Sequence, residues 1–135
     1  MKIKISKSEI DGPAIRHLER VTGEDFKLCY QCGKCSAGCP VSYLMEVPPS
    51  QVMRLLQLGM VEDVAAANTM WVCVGCVQCY ERCPKGCSVA SVLEGMRQIA
   101  LRKGEGKVEV KEIPIPFLQK APQQAIVCGF RKFVG

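Results

Sequence analysis

One twelve-residue pattern occurs in this chain twice, 44 positions apart: Cys29-Tyr-Gln-Cys32-Gly-Lys-Cys35-Ser-Ala-Gly-Cys39-Pro40 and Cys73-Val-Gly-Cys76-Val-Gln-Cys79-Tyr-Glu-Arg-Cys83-Pro84. Both copies read C-x2-C-x2-C-x3-C-P. Three thiols recurring at every third position leave little freedom for a strand or a long helix, so each copy must loop around whatever its thiols bind. Pro40 and Pro84 fix φ and remove a backbone donor, which turns the chain away directly after each last cysteine.

Thiolates at this spacing hold [4Fe-4S] clusters, and in the two-cluster arrangement the fourth cysteine of each run ligates the other cluster. The expected ligand sets are therefore Cys29, Cys32, Cys35 and Cys83 for one cluster, and Cys73, Cys76, Cys79 and Cys39 for the second. A zinc site closes one tetrahedron from two C-x2-C pairs, and the third cysteine of each run would be surplus to it. A disulfide framework suits a small secreted chain, but the opening Met-Lys-Ile-Lys-Ile-Ser-Lys has no apolar stretch of signal-peptide length.

With 135 residues there is room for one domain with extensions, and no apolar run approaches membrane-spanning length. Ten cysteines without an export signal point to a reducing cytoplasm. Four phenylalanines, three tyrosines and one tryptophan make a lean core, so bound clusters are expected to serve as part of it. The formal charge of +5 counts every cysteine as neutral. Two oxidised clusters with their thiolates, at about −2 apiece, bring the chain to about +1. Basic residues are scattered and not interleaved with aromatics, so no nucleic-acid surface is read. Lys34, Arg82 and Lys85 near the runs either offset cluster charge, dock an acidic partner or form a solvated face.

Residues 2–5 alternate Lys and Ile and fit a short strand. From Pro13, the residues Ile15, Leu18 and Val21 fall at helical spacing and Gly23 offers a stop. His17, the single histidine, is expected on the solvated flank of that helix. Between the runs, Ser50 is a candidate cap for a helix with Val52, Met53, Leu55 and Leu56 on its apolar face, ended by Gly59. A shorter helix follows, with Glu62 and Asp63 at its positive end. Met45, Met53, Met60 and Met70 read as core filler. After the second run, Ser88 caps a third helix through Val89, Val92, Leu93, Met96 and Ala100. Beyond it, Pro114 and Pro116 exclude a helix interior, and an extended, partner-docking tail is expected, in which Ala125 to Val134 leaves a short helix or strand open. The domain reading is an N-terminal extension with a short helix at 1–23, a mainly α dicluster domain at 24–103, and the extended tail at 104–135.

Two cysteines stand outside the runs and are assigned to neither cluster. Cys87 opens the third helix, where a thiol could be made acidic by the helix dipole, and is expected free and partly packed. Cys128 lies among apolar neighbours and is expected buried. Trp71, Tyr30 and Tyr80 are candidates for shielding cluster edges from water.

The segments Leu28-Cys-Tyr-Gln-Cys-Gly-Lys-Cys-Ser-Ala-Gly-Cys-Pro40, Leu56-Gln-Leu-Gly59 and Asn68-Thr-Met-Trp71 through Tyr80-Glu-Arg-Cys-Pro84 resemble the C-type iron–sulfur subunit of heterodisulfide reductase over about residues 24–102. The resemblance implies an α-helical ferredoxin-like fold with two [4Fe-4S] clusters. It implies an electron relay from a flavin-containing iron–sulfur subunit, the A-type, to the catalytic B-type, which in the family reduces a mixed disulfide of coenzymes M and B or another disulfide. This chain lacks the CCG-type repeats of the catalytic partner, so it is expected to have no catalytic site of its own. A stand-alone dicluster ferredoxin, an iron–sulfur subunit of another dehydrogenase and a zinc-stabilised adaptor are the rival readings.

Overall fold

The computed structural model describes residues 7–135 of the chain; the strand expected at residues 2–5 lies outside them. Among the described residues every regular element is a helix. Two compact units divide the chain, one reaching to Met96 and the other running from Arg97 to Gly135.

The first unit begins with α1 (Lys7–Ile10) and α2 (Pro13–Thr22). Pro13 sits in the first turn, where its missing N–H costs nothing, and Gly23 ends the helix at φ 72°. The runs each contribute one helical turn, α3 (Lys34–Ala37) and α7 (Gln78–Glu81). Between them lie α4 (Pro49–Gln57), α5 (Val61–Ala66) and α6 (Thr69–Val72), and α8 (Val89–Arg102) follows, its residues up to Met96 belonging to this unit. The core is built from Ile15 and Leu18 of α2, Val52, Met53 and Leu56 of α4, Val64 of α5, Met70 of α6, and Val92 and Leu93 of α8. Burying each large aliphatic side chain contributes about 1.5–3 kcal/mol. Met45, Met53 and Met70 are buried as expected, while Met60 is half-buried at the start of α5. Phe26, 1% exposed in a 3-10 turn over Phe26–Leu28, carries no periodic signal in the sequence.

Three joints fix the frame around the runs. Gly59 holds φ at 80° after α4, and a Cβ there would overlap the backbone of Glu9 and Ile10, so glycine is needed both for the turn and for the close approach. Thr69 Oγ1 donates to the Val47 carbonyl at 2.9 Å and accepts from the Val47 amide at 3.1 Å. Ser88 caps α8, its hydroxyl accepting from the Ser91 amide at 3.2 Å, and its own amide donates to Glu24 at 2.9 Å. Ser50, by contrast, does not cap α4. That helix starts at Pro49, and the Ser50 amide donates to the hydroxyl of Ser36 in the first run at 2.8 Å. A side chain from a distant segment takes the role the local sequence offered to Ser50.

In the second unit the tail is helical, contrary to the extended conformation expected from its prolines. It forms α9 (Ile115–Lys120) and α10 (Gln123–Phe133). The prolines do not interrupt a helix because Pro114 and Pro122 take the cap positions and Pro116 the first turn. Amides of Lys107 and Val108 both donate to the Phe133 carbonyl, at 2.7 and 3.1 Å. Ile113, Phe117, Leu118, Ile126 and Phe130 line an apolar groove. Among the described residues no helix is long and apolar enough to cross a membrane.

Candidate metal centre

The two runs fold alike because the same positions take the same unusual backbone. Gln31 and Gly75, equivalent under the repeat, have φ of 64° and 67°. Gly33 and Val77, also equivalent, have φ of 77° and 62°. Backbone amides reach the thiols in both runs, those of Lys34 and Ser36 donating to Cys32 and Cys35, and those of Tyr80 and Ala90 to Cys79, an arrangement that favours an anion. Val77 is a β-branched residue held in the left-handed region, a strained conformation of the sort that clusters at functional sites.

Each run then enters its single helical turn, and α3 packs on α7. That contact carries the fourth cysteine of each run toward the other run. One hollow is lined by Cys29, Cys32, Cys35 and Cys83. The second is lined by Cys73, Cys76, Cys79 and Cys39. Val89, at the start of α8, borders both. The eight thiols thus stand in two groups of four, three from one run and one from the other. Among the described residues no three His, Cys, Asp or Glu side chains converge as they would on a single metal ion.

The first hollow is held by glutamines that periodicity did not single out. Gln57 Nε2 donates to the carbonyls of Phe26 and Cys29 at 2.8 and 2.7 Å, and Gln31 Nε2 lies 3.4 Å from both Gln57 Oε1 and Cys29 Sγ. Tyr30 also lines this hollow, with the Lys85 ammonium 6.0 Å from its ring centroid. Trp71 is half-buried on α6 and Tyr80 exposed on α7, and neither belongs to the lining of either hollow. His17 is exposed on α2.

Ionisation of the thiols follows their surroundings. The Lys34 amide, and then the Tyr30 hydroxyl, donate to the exposed Cys32 and lower its pKa, while the Tyr30 phenol is raised by the same hydrogen bond. Burial raises Cys35 and Cys79. Cys87, 3% exposed, lines the first hollow as a fifth thiol, and its amide donates to Cys83 Sγ at 3.3 Å. Its thiol is not made acidic by the helix it precedes. Burial first and the neighbouring Cys83 second push it up to about 12. Cys128 is exposed on α10 instead of buried, and that helix has no buried residue along its length.

Residues 22–84 match the 4Fe-4S dicluster domain. The chain is 40% identical over 76 residues to the C-type iron-sulfur subunit of CoB–CoM heterodisulfide reductase from Methanopyrus kandleri, covering 56% of this chain and 40% of that protein. It is 38% identical over 88 residues to the second form of the same iron-sulfur subunit from Methanocaldococcus jannaschii, covering 62% and 47%. Against the C-type subunit of the H(2):CoB-CoM heterodisulfide,ferredoxin reductase of Methanothermobacter marburgensis it is 28% identical over 100 residues, covering 74% and 54%. The chain spans about half the length of the curated relatives it matches. Over the segment that matches the 4Fe-4S dicluster domain and its flanks, the chain is thus similar to the C-type iron–sulfur subunits of heterodisulfide reductase.

Proposed function

We propose that this chain is the electron-transfer subunit of a heterodisulfide-reductase-type complex, relaying single electrons from an A-type flavoprotein to a B-type catalytic partner in the cytoplasm. The observation that carries the reading is the exchange of one thiol between two otherwise self-contained groups of three. Cys29, Cys32, Cys35 and Cys83 would hold one [4Fe-4S] cluster, and Cys73, Cys76, Cys79 and Cys39 the other. The donor set fits the group: four thiols line each hollow, and backbone amides donate to Cys32, Cys35 and Cys79. A bound cluster supplies one-electron redox chemistry.

The chain's own residues do the rest. Cys32 and Cys76 are exposed, which brings one corner of each site to the surface where a partner can approach. Val89 and the buried faces of α4 and α8 keep water from the inner corners. Exposed Ile115, Phe117 and Val127 in the second unit suit docking to another protein of the complex, the role proposed for residues 104–135.

Anaerobic reconstitution with metal and sulfide analysis tests the reading. About eight iron and eight acid-labile sulfide per chain are expected. Zinc without sulfide would reject it in favour of an adaptor. Co-purification from native cells separates a member of a complex from a stand-alone ferredoxin: flavoprotein and disulfide-reducing partners are expected, and a monodisperse monomer would favour the ferredoxin.

A further inference from the structure

The repeat gives both hollows the same thiol plan but does not copy what surrounds the thiols. Tyr30 and Gln31 line the first hollow, and of their repeat partners Val74 lines the second while Gly75 does not. Where the first has Lys34 and Lys85, the second has Gln78 and Val41. Gln31 donates toward Cys29 at 3.4 Å, whereas glycine and valine side chains offer no donor. The repeat partner of Cys87 is Tyr43, which is 80% exposed and absent from the second lining. Two ammonium groups, a phenol, an amide and a fifth thiol thus border one site. The other has the Gln78 amide as its one polar side chain besides the thiols, and is otherwise bordered by apolar residues such as Val41, Val74 and Val77.

An added electron is an added negative charge. Hydrogen bonds to the sulfurs and nearby cations stabilise it, and an apolar wall does not. We propose that the two sites are unequal, the site of Cys29, Cys32, Cys35 and Cys83 holding an electron more tightly than the other, with Tyr30, Gln31, Lys34 and Lys85 as the positioning residues that set the order. This rests on the reading that each hollow holds a [4Fe-4S] cluster. A low-potential one-electron donor, a reduced flavin or iron–sulfur protein, delivers at the apolar site. One electron is then lost on that side and gained on the other, with no bond broken and no proton moved, and an acceptor withdraws it at the polar site.

The test is a potentiometric titration of the reconstituted full chain, followed by electron paramagnetic resonance. Two midpoints are expected, separated by at least about 59 mV, a tenfold preference for one electron. Y30V/K34Q/K85V, which transplants the second lining onto the first site, lowers the higher midpoint and leaves the lower one in place. The reverse change, Val41→Lys, raises the lower midpoint alone, and it decides the matter if the triple variant does not assemble. One midpoint shared by both sites, or a triple variant that moves only the lower midpoint, overturns the inference while leaving the cluster reading intact. Wild-type protein that takes up neither iron nor sulfide overturns both.

Discussion

Arg82 lies across Gly38: a Cβ on Gly38 would overlap the Cδ and Nε of the arginine side chain. The two residues are the same position of the repeat, each directly preceding the fourth cysteine of its run. Where the copies meet, one must be bare for the other to pass. Gly38→Ala is expected to push Arg82 aside rather than unfold the domain, since the overlapping atoms are the free end of a flexible chain. The loss should stay below about 1 kcal/mol, and Arg82→Ala in the same background should restore it. A double-mutant cycle by anaerobic denaturation checks this; simple additivity of the two changes would contradict the contact.

Val77 is held at φ 62° where its repeat partner is Gly33. A left-handed non-glycine residue costs about 1–2 kcal/mol, of which glycine's extra freedom when unfolded takes back about 0.5–1 kcal/mol. Val77→Gly should therefore stabilise the loaded protein by up to about 1 kcal/mol, and Gly33→Val should destabilise it. Midpoints of loss of visible absorption on heating would show it. A less stable Val77→Gly protein would mean that the valine side chain contributes more than its backbone strain removes.

Cys39→Ser separates crossed from uncrossed ligation. If Cys39 serves the second run, alkylation followed by peptide mass spectrometry should label Cys73, Cys76 and Cys79 in the variant while Cys29, Cys32 and Cys35 stay protected. Cys83→Ser should give the opposite pattern. Labelling of the first run in Cys39→Ser would break the proposed ligand sets.

The two cysteines outside the runs should behave differently in the loaded protein. Cys128 is exposed and Cys87 is buried with its thiol pushed up to about 12. Burial keeps Cys87 away from the reagent, so rising pH should not bring it into reaction. One alkylated cysteine, Cys128, is the expected result. Labelling of Cys87 at pH 9 would show that its burial is not maintained.

The cysteine spacing and the helix periodicity are legible from residues alone: α2, α4, α5 and α8 lie where the spacing of Ile15, Leu56, Val64 and Val92 predicts them. Contacts between distant segments are not. The hydroxyl of Ser36 reaching Ser50, Gln57 bridging to Phe26 and Cys29, and the close passage of Glu9 over Gly59 leave no periodic trace. The tail misleads for a different reason. Pro114, Pro116 and Pro122 forbid a helix interior yet favour a helix start, and which applies depends on register. Cys128 departs from expectation because apolar neighbours in sequence do not bury a residue on a helix that has no buried position.

The Ser36–Ser50 contact gives one loop two duties. Ser36 adjoins Cys35, while Ser50 opens the helix that supplies Val52, Met53 and Leu56 to the interior. Oxygen damage at that thiol therefore reaches the hydrophobic centre within a few bonds. A copy stripped of its iron should be recognised by proteases and cleared, instead of lingering as a colourless competitor for the same partners. Resistance to limited digestion should rise and fall with iron content, and an iron-free chain as resistant as the loaded one would refute this.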